Sequence, residues 1–273
     1  MQTPKSILLH LDSSAHSADR VRVARLIAEN FGAQVTCMPC TMPSLMRYPF
    51  ALEGAAEAVA IMEDLDREFR DKVYASFTAA SAGSPHLQWA EPMRGAPWEF
   101  AVQALYADLM ILGQRDPEDA SASELPTDFL PSLLVESGRP ALIVPFIGVA
   151  GPIGKTVLVA WKETREAARA VSAALPWMMG ADQVHVVCYG ESSGPSLQAL
   201  STYLKTQGVS VQLHPGGPEN GDAGGNLLSM AADIGANLLV MGCYGHSRMR
   251  EWVWGGATRT ILQSMTLPVL MSH

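Results

Sequence analysis

Charge is scarce in this chain: 17% of its 273 residues are Asp, Glu, Lys or Arg, and the basic ones are the minority. With 19 Lys and Arg against 27 Asp and Glu, the net charge is −8. That balance excludes a general nucleic-acid binder, which needs a basic face to displace counterions from phosphates. Cysteine is equally sparse, four in the whole chain. No disulfide framework is expected, and a reducing, cytoplasmic setting is the default. No uninterrupted apolar run reaches the ~20 residues of a membrane helix, so no membrane association is expected. The opening MQTPKSILLHLDSS holds one lysine and the short run Ile7, Leu8 and Leu9, too little for a secretory signal.

Apolar residues, by contrast, are plentiful. Hydrophobic residues make up 48% of the chain, with a mean hydropathy of +0.11. Such a composition buries a sizeable core and excludes a disordered or fibrous chain. The length suits two domains of roughly 100–150 residues. The acidic excess lies entirely in residues 1–150, while residues 151–273 are neutral. Solubility accounts for that asymmetry.

The chain repeats itself. Ser6–Asp12 (SILLHLD) matches Thr156–Lys162 (TVLVAWK), each a strand-like run ending in a polar turn. Helical stretches follow, Ala18–Ala33 and Arg165–Ala181. In them Val21, Ala24, Leu26 and Ile27, or Ala167, Val171, Ala174 and Leu175, recur at helical spacing. Second strands QVTCM and QVHVV come next. Later, Ala107–Gly113 (ADLMILG) matches Ala236–Gly242 (ANLLVMG), and RPALIVP matches LPVLMSH as the last strand. Continuous apolar strands alternating with helices predict, in each half, a doubly wound parallel sheet covered on both faces. The uncharged segment IGVAGPIG, residues 147–154, reads as the linker between domains 1–148 and 153–273. The first half is longer because Ala51–Ala82 is inserted between its second and third strands. This segment reads as a long amphipathic helix, its counterpart being Ser196–Gln207.

The most specific chemistry follows the fourth strand of the second half, MGCYGHSRMREWVWGGATRTIL. Gly242, Gly245, Gly255 and Gly256 give the spacing G-x2-G-x9-G-G. Gly242 ends a strand, and Gly256 opens a helix over Ala257, Thr258 and Arg259. A strand's carboxyl end and a helix N-terminus are where open α/β sheets receive phosphate-bearing ligands. Glycines let backbone N–H groups approach phosphate oxygens, and Arg248, Arg250 or Arg259 can add charge. The alternative is a tight strand-to-helix connection without a ligand. Trp252 and Trp254 read as packing anchors or a subunit contact rather than adenine stackers.

This pattern resembles the universal stress protein family, whose nucleotide-binding members carry G-x2-G-x9-G followed by Ser or Thr. The resemblance spans nearly the whole chain as two tandem domains. It implies, for each, a Rossmann-like doubly wound five-stranded parallel sheet flanked by helices. It further implies ATP or AMP binding in some members, stress-related regulation without defined catalysis, and dimerisation through the last strand. The chain departs from the pattern in two places. Gly256 stands where a phosphate-contacting hydroxyl is found, with Thr258 two residues on, and Lys162 stands where an aspartate follows the first strand. The first half keeps that aspartate, Asp12, but its own loop, Gly113-Gln114-Arg115-Asp116-Pro117, lacks the later glycines. The resemblance therefore places an adenine nucleotide in the second half, against Gly242, Gly245, His246, Gly255, Gly256, Ala257, Thr258 and Lys162. The first half is expected to be empty. A nucleotide-free interaction module is the competing reading, and a slow ATPase a distant third. The apolar edges Ala141–Pro145 and Leu267–Met271 are expected to bury each other in an intrachain pseudo-dimer, with a homodimer also open.

The remaining motifs are weaker. Cys37-Met38-Pro39-Cys40 runs out of a strand toward prolines, which opposes the helix that a redox C-x-x-C motif needs. The seven histidines show no metal spacing beside a cysteine pair, so no metal is expected. Asp12 reads equally as a helix cap or a ligand contact, and Lys162 as a phosphate contact or a solvated charge.

Overall fold

The computed structural model describes residues 3–48, 56–91, 97–190, 193–217, 221–245 and 256–273. The chain divides into two compact units, Pro4–Ser137 and Gly138–His273. Each is an α/β unit whose inner strands are the continuous apolar runs of the sequence, while the strands Leu87–Trp89 and Gln212–Pro215 are short and partly exposed.

In the first unit, β1 (Ser6–Leu11), β2 (Gln34–Pro39), β3 (Leu87–Trp89) and β4 (Leu109–Gly113) lie in the order β3-β2-β1-β4. All three pairings are parallel. The central strand carries Ile7, Leu9 and Leu11, none with any exposed surface, and Ile7 faces Val35 on one side and Leu109 on the other. Parallel neighbours need crossovers. These are α1 (Ser17–Phe31) after β1, α2 (Ser44–Arg47) and α3 (Ala56–Ser81) after β2, and α4 (Phe100–Ala104) before β4. The unit closes with α5 (Phe129–Glu136). Val21, Ala24, Ile27 and Ala28 form the buried stripe of α1, whereas Leu26 is 48% exposed because it lies off that stripe. The chain leaves α1 through Gly32 at φ 61°, a left-handed cap whose N–H donates to the carbonyl of Ala28. The long helix expected in Ala51–Ala82 is α3, 26 residues and about 39 Å long. Its buried residues, Val73, Phe77, Ala80 and Ser81, all lie in its last third.

The second unit contains β5 (Ala141–Val144), β6 (Thr156–Ala160), β7 (Gln183–Cys188), β8 (Gln212–Pro215), β9 (Leu238–Gly242) and β10 (Val269–Ser272). Their order is β5-β10-β9-β6-β7-β8. The last five in chain order make the expected five-stranded parallel sheet. The strand β5, read from sequence as the end of the first domain, belongs to this unit and lies antiparallel to β10, with Leu142 opposite Leu270. The two apolar edges singled out in the sequence thus satisfy each other's backbone groups. The helices are α6 (Arg165–Met178), α7 (Ser193–Thr206), α8 (Ala223–Asp233) and α9 (Ala257–Ser264).

Two details explain why the repeat is visible in the sequence. The Asp108 carboxylate accepts the N–H groups of Lys5 (2.8 Å) and Ser6 (3.0 Å). In the second half the Asn237 amide oxygen accepts those of Lys155 (2.8 Å) and Thr156 (3.1 Å). The residue preceding the fourth strand ties down the start of the first in both copies. The second detail is the glycine ending that fourth strand. A Cβ on Gly242 would lie 2.5 Å from the backbone nitrogen of Ala167 in α6, a distance real atoms do not adopt. Gly242→Ala is therefore expected to push α6 off β9 and cost about 1–3 kcal/mol. The urea midpoint reads this directly, and an unchanged midpoint would show that the helix can shift freely.

Candidate functional site

At the carboxyl ends of β6, β7 and β9, the second unit opens into a cleft of about 450 Å³. That size accommodates a nucleoside-sized molecule. Trp161 and Lys162 enter it from β6, Tyr189 from β7, and Tyr244 and Gly245 from β9. The first residues of α6, α8 and α9 supply the rest of its lining, Glu166, Asp222 and Thr258 among them. Three helix N-termini therefore open on one cavity, and each leaves backbone N–H groups without intrahelical acceptors.

Two of these ends are capped by side chains. Thr164 accepts from the N–H of Ala167 at 3.3 Å, and Asp222 from that of Gly225 at 3.0 Å. The third, α9, has Gly256 as its N-cap residue and no side-chain cap among the described residues. Gly256 sits at φ −63° and ψ 163°, extended backbone that any residue adopts, so no left-handed turn demands a glycine there. Gly245 is exposed at the mouth, and a Cβ on it would stand 3.0 Å from Oε2 of Glu166. Tyr244, beside it, is held at φ 54°, a left-handed conformation costly for a bulky side chain.

The structure brings Lys162, Gly242, Gly245, Gly256, Ala257 and Thr258 to this cleft. Lys162 is exposed, Ala257 half-buried and Thr258 buried. His246 and Gly255 lie outside the described residues, as do Ser247, Arg248, Arg250, Trp252 and Trp254. The missing side chain of Gly242 is used by helix packing, as described above. Sequence reading passed over Glu166, Asp222, Tyr189 and Trp161. The first two carry only the ordinary signature of acidic residues at helix starts. Nothing in sequence spacing distinguishes such residues from solvated caps.

The equivalent place in the first unit is closed. Beneath Gly113, the counterpart of Gly242, lies the guanidinium of Arg20, which would collide with any Cβ there. Arg20 pairs with Asp12, and both are buried. Asp12 also accepts from the N–H (3.1 Å) and hydroxyl (2.6 Å) of Ser14. The cavity left between His10, Asp12, Arg20 and Gln114 holds only about 70 Å³, too small for a nucleoside. An adjoining groove of about 540 Å³ is lined by Asp12, Lys72, Asp119 and Glu124. The choice left open for Asp12 thus falls to an internal ion pair and a turn.

No protein-family model and no curated protein sequence matches the chain. Solved structures do. A universal stress protein from Archaeoglobus fulgidus DSM 4304 matches with a TM-score of 0.73 and 15% identity, over 99% of this chain and 96% of that one. The fold is that of a universal stress protein. A functionally unknown protein from Pseudomonas aeruginosa PAO1 has the same architecture, with a TM-score of 0.60 and 18% identity over 98% of this chain and 92% of that one.

Other chemistry on this universal stress fold can be weighed from the side chains. Cys37 and Cys40 are buried free thiols, and burial pushes both up to about 12, so neither is a thiolate nucleophile at neutral pH. Among the described residues no group of three His, Cys, Asp or Glu converges on a metal position. None of the helices described is long and apolar enough to cross a membrane.

Burial also governs His10. Its Nε2 donates to the carbonyl of Cys40 at 2.8 Å, and its ring packs against Phe100 and Phe129. Desolvation lowers it from 6.5 to about 4, with Arg20 acting the same way and Asp12 opposing. For Asp12, desolvation acts upward, but Arg20 and then His10 hold the carboxyl well below the usual range. The folded state therefore binds fewer protons than the unfolded chain. The His10 contribution is complete above pH 6.5 and drains away as the pH falls toward about 4. The Asp12 contribution is lost only below the ordinary carboxylate range. Urea midpoints should thus fall with pH across the first window, and His10→Gln should flatten that slope while lowering the midpoint at pH 7. An equal slope in the variant would contradict this account.

Proposed function

We propose that the chain is a regulatory protein of universal-stress type that binds an adenine nucleotide, ATP or AMP, in the cleft of its second half. The observation that carries this reading is the difference between the halves. Equivalent positions form an open cleft with an uncapped helix N-terminus in one half, while Arg20 and Asp12 fill them in the other. In the open cleft, the N–H groups of Gly256, Ala257 and Thr258 suit a phosphate oxygen, and Lys162 adds a positive charge. Tyr189 and Trp161 provide an apolar wall suited to a base. The reading includes no catalytic step: ligand occupancy is the signal.

Calorimetry on the full chain with ATP, ADP and AMP tests it. Gly245→Val places a branched side chain at the mouth and against Glu166, and should weaken binding by at least about tenfold through lost charge-assisted hydrogen bonds. Gly256→Ser supplies the missing cap, raises stability by a few tenths of a kcal/mol, about what a Ser cap adds over Gly, and should tighten nucleotide binding. If none of the three nucleotides binds at millimolar concentration, the nucleotide reading fails and the interaction-module reading replaces it.

A further inference from the structure

Two histidines on the outer strands of the second unit share a hydrogen bond that the nucleotide reading does not use. His185, in the middle of β7, is 5% exposed, and His214, on β8, is half-buried. Their rings lie 23° from parallel with centroids 5.2 Å apart, and Nδ1 of His185 meets Nε2 of His214 at 2.9 Å. The other nitrogen of His185, Nε2, lies 3.2 Å from Oε1 of Gln183. A carbonyl oxygen only accepts, so Nε2 of His185 carries the proton and its Nδ1 is the bare acceptor of the bond from His214. A first added proton enters on Nδ1 of His214 and leaves that bond in place, now charge-assisted. A second has only Nδ1 of His185 to go to. It sets N–H against N–H and places two cations side by side. Burial, and then the His214 charge, lower His185 from its ordinary value of 6.5.

Few other charges surround the pair. Besides it, β7 and β8 hold no acid or base except the buried thiol of Cys188. The elements packed closely on these strands are β6, uncharged along its length, and α7, whose Tyr203 and Lys205 are exposed. Lys155 and Asp182, at the starts of β6 and β7, lie 4.0 Å from each other. Glu191 and Glu219, beyond the ends of the two strands, lie outside the described residues. The strand β8 ends the sheet, with β7 as its one neighbour. Just past it, the Gly216 N–H donates to the carbonyl of Cys188 and the Gly190 N–H to that of Gly217, each at 2.8 Å. A Cβ on Gly216 would stand 2.5 Å from the ring of Tyr189, which lines the cleft. Loosening β8 therefore loosens the Tyr189 wall.

We propose that the His185–His214 pair is an acid-released clasp: it fastens the edge strand β8, and with it the Tyr189 wall of the cleft, until both rings are protonated. The consequence for a ligand rests on the adenine-nucleotide reading; the clasp itself does not. The folded pair takes up fewer protons than the unfolded chain. Its contribution is complete above pH 6.5 and is lost as the pH falls below that value.

Amide hydrogen exchange on the full chain, corrected for the intrinsic pH dependence of exchange, tests the clasp. From pH 7 to pH 5, protection at Gly190 and Gly216 should fall by at least about fivefold, and protection at Leu158 and Leu239 in the central strands should fall less. His214→Gln takes no proton, and its amide offers His185 either a donor or an acceptor, so the loss should shrink to less than about twofold. Should that variant not fold, His185→Leu removes the site of the second proton and should do the same. His10→Gln, Glu191→Gln and Glu219→Gln should leave the loss unchanged. AMP affinity, taken relative to His214→Gln so that titration of the phosphate cancels, should fall together with protection at Gly216. The proposal is overturned if Leu158 loses as much protection as Gly216, if the loss survives in the variants lacking the pair, or if it disappears with Glu191 or Glu219. AMP binding whose relative affinity ignores pH overturns the link to the cleft. If AMP does not bind at all, the nucleotide reading fails and exchange still decides the clasp. The contrast between Gly216 and Leu158 in the unmodified chain stands without either variant.

Discussion

The packing at the carboxyl ends of both sets of strands depends on a glycine at the end of the fourth strand of each repeat. Without a Cβ, Gly113 and Gly242 leave a gap a few ångströms wide between strand and first helix, and each half fills it differently. In the second half the backbone of α6 moves in, which seats its N-terminus on β9 and sets the depth of the cleft. In the first half the side chain of Arg20 takes the gap. One steric opening thus produces a pocket in one copy and a plug in the other.

The plug is stable because its charges are matched. Burying an arginine alone would carry a large desolvation cost, and Asp12 supplies a partner held further in place by Ser14. The pair is also sequestered, with His10 kept neutral above it by burial. Glu166, in the second half, is a buried anion whose partner, Arg165, sits in water. The contrast is that one copy fills this position with an ion pair and the other leaves it open as a cleft.

The sheet edges follow a similar logic of satisfaction. The strand β10 is apolar and buried, and an exposed face of that kind invites association. Pairing it antiparallel with β5 removes the liability within the unit. The strand starts are held by Asp108 and Asn237, each accepting two backbone N–H groups across more than eighty residues of sequence.

The order of apolar runs, their continuity and the helix-period stripes determined by themselves that each half is a doubly wound parallel sheet, since only burial on both faces accommodates strands without polar alternation. The same local pattern marked the glycine-flanked helix start at Ala257 and the long helix realised as α3. Which unit β5 joins was not legible, because an apolar edge specifies burial and not the strand that provides it. Nor was the closure of the first half. Asp12 and Arg20, separated by seven residues in the chain, carry no sign that their side chains meet beneath Gly113, which lies far along the sequence. Glu166 looked like any acidic residue in a first helical turn. Periodicity is a local property and survives in sequence, whereas the pairing of charges and the depth of a cleft arise from distant segments converging. Those were decided only by the tertiary structure.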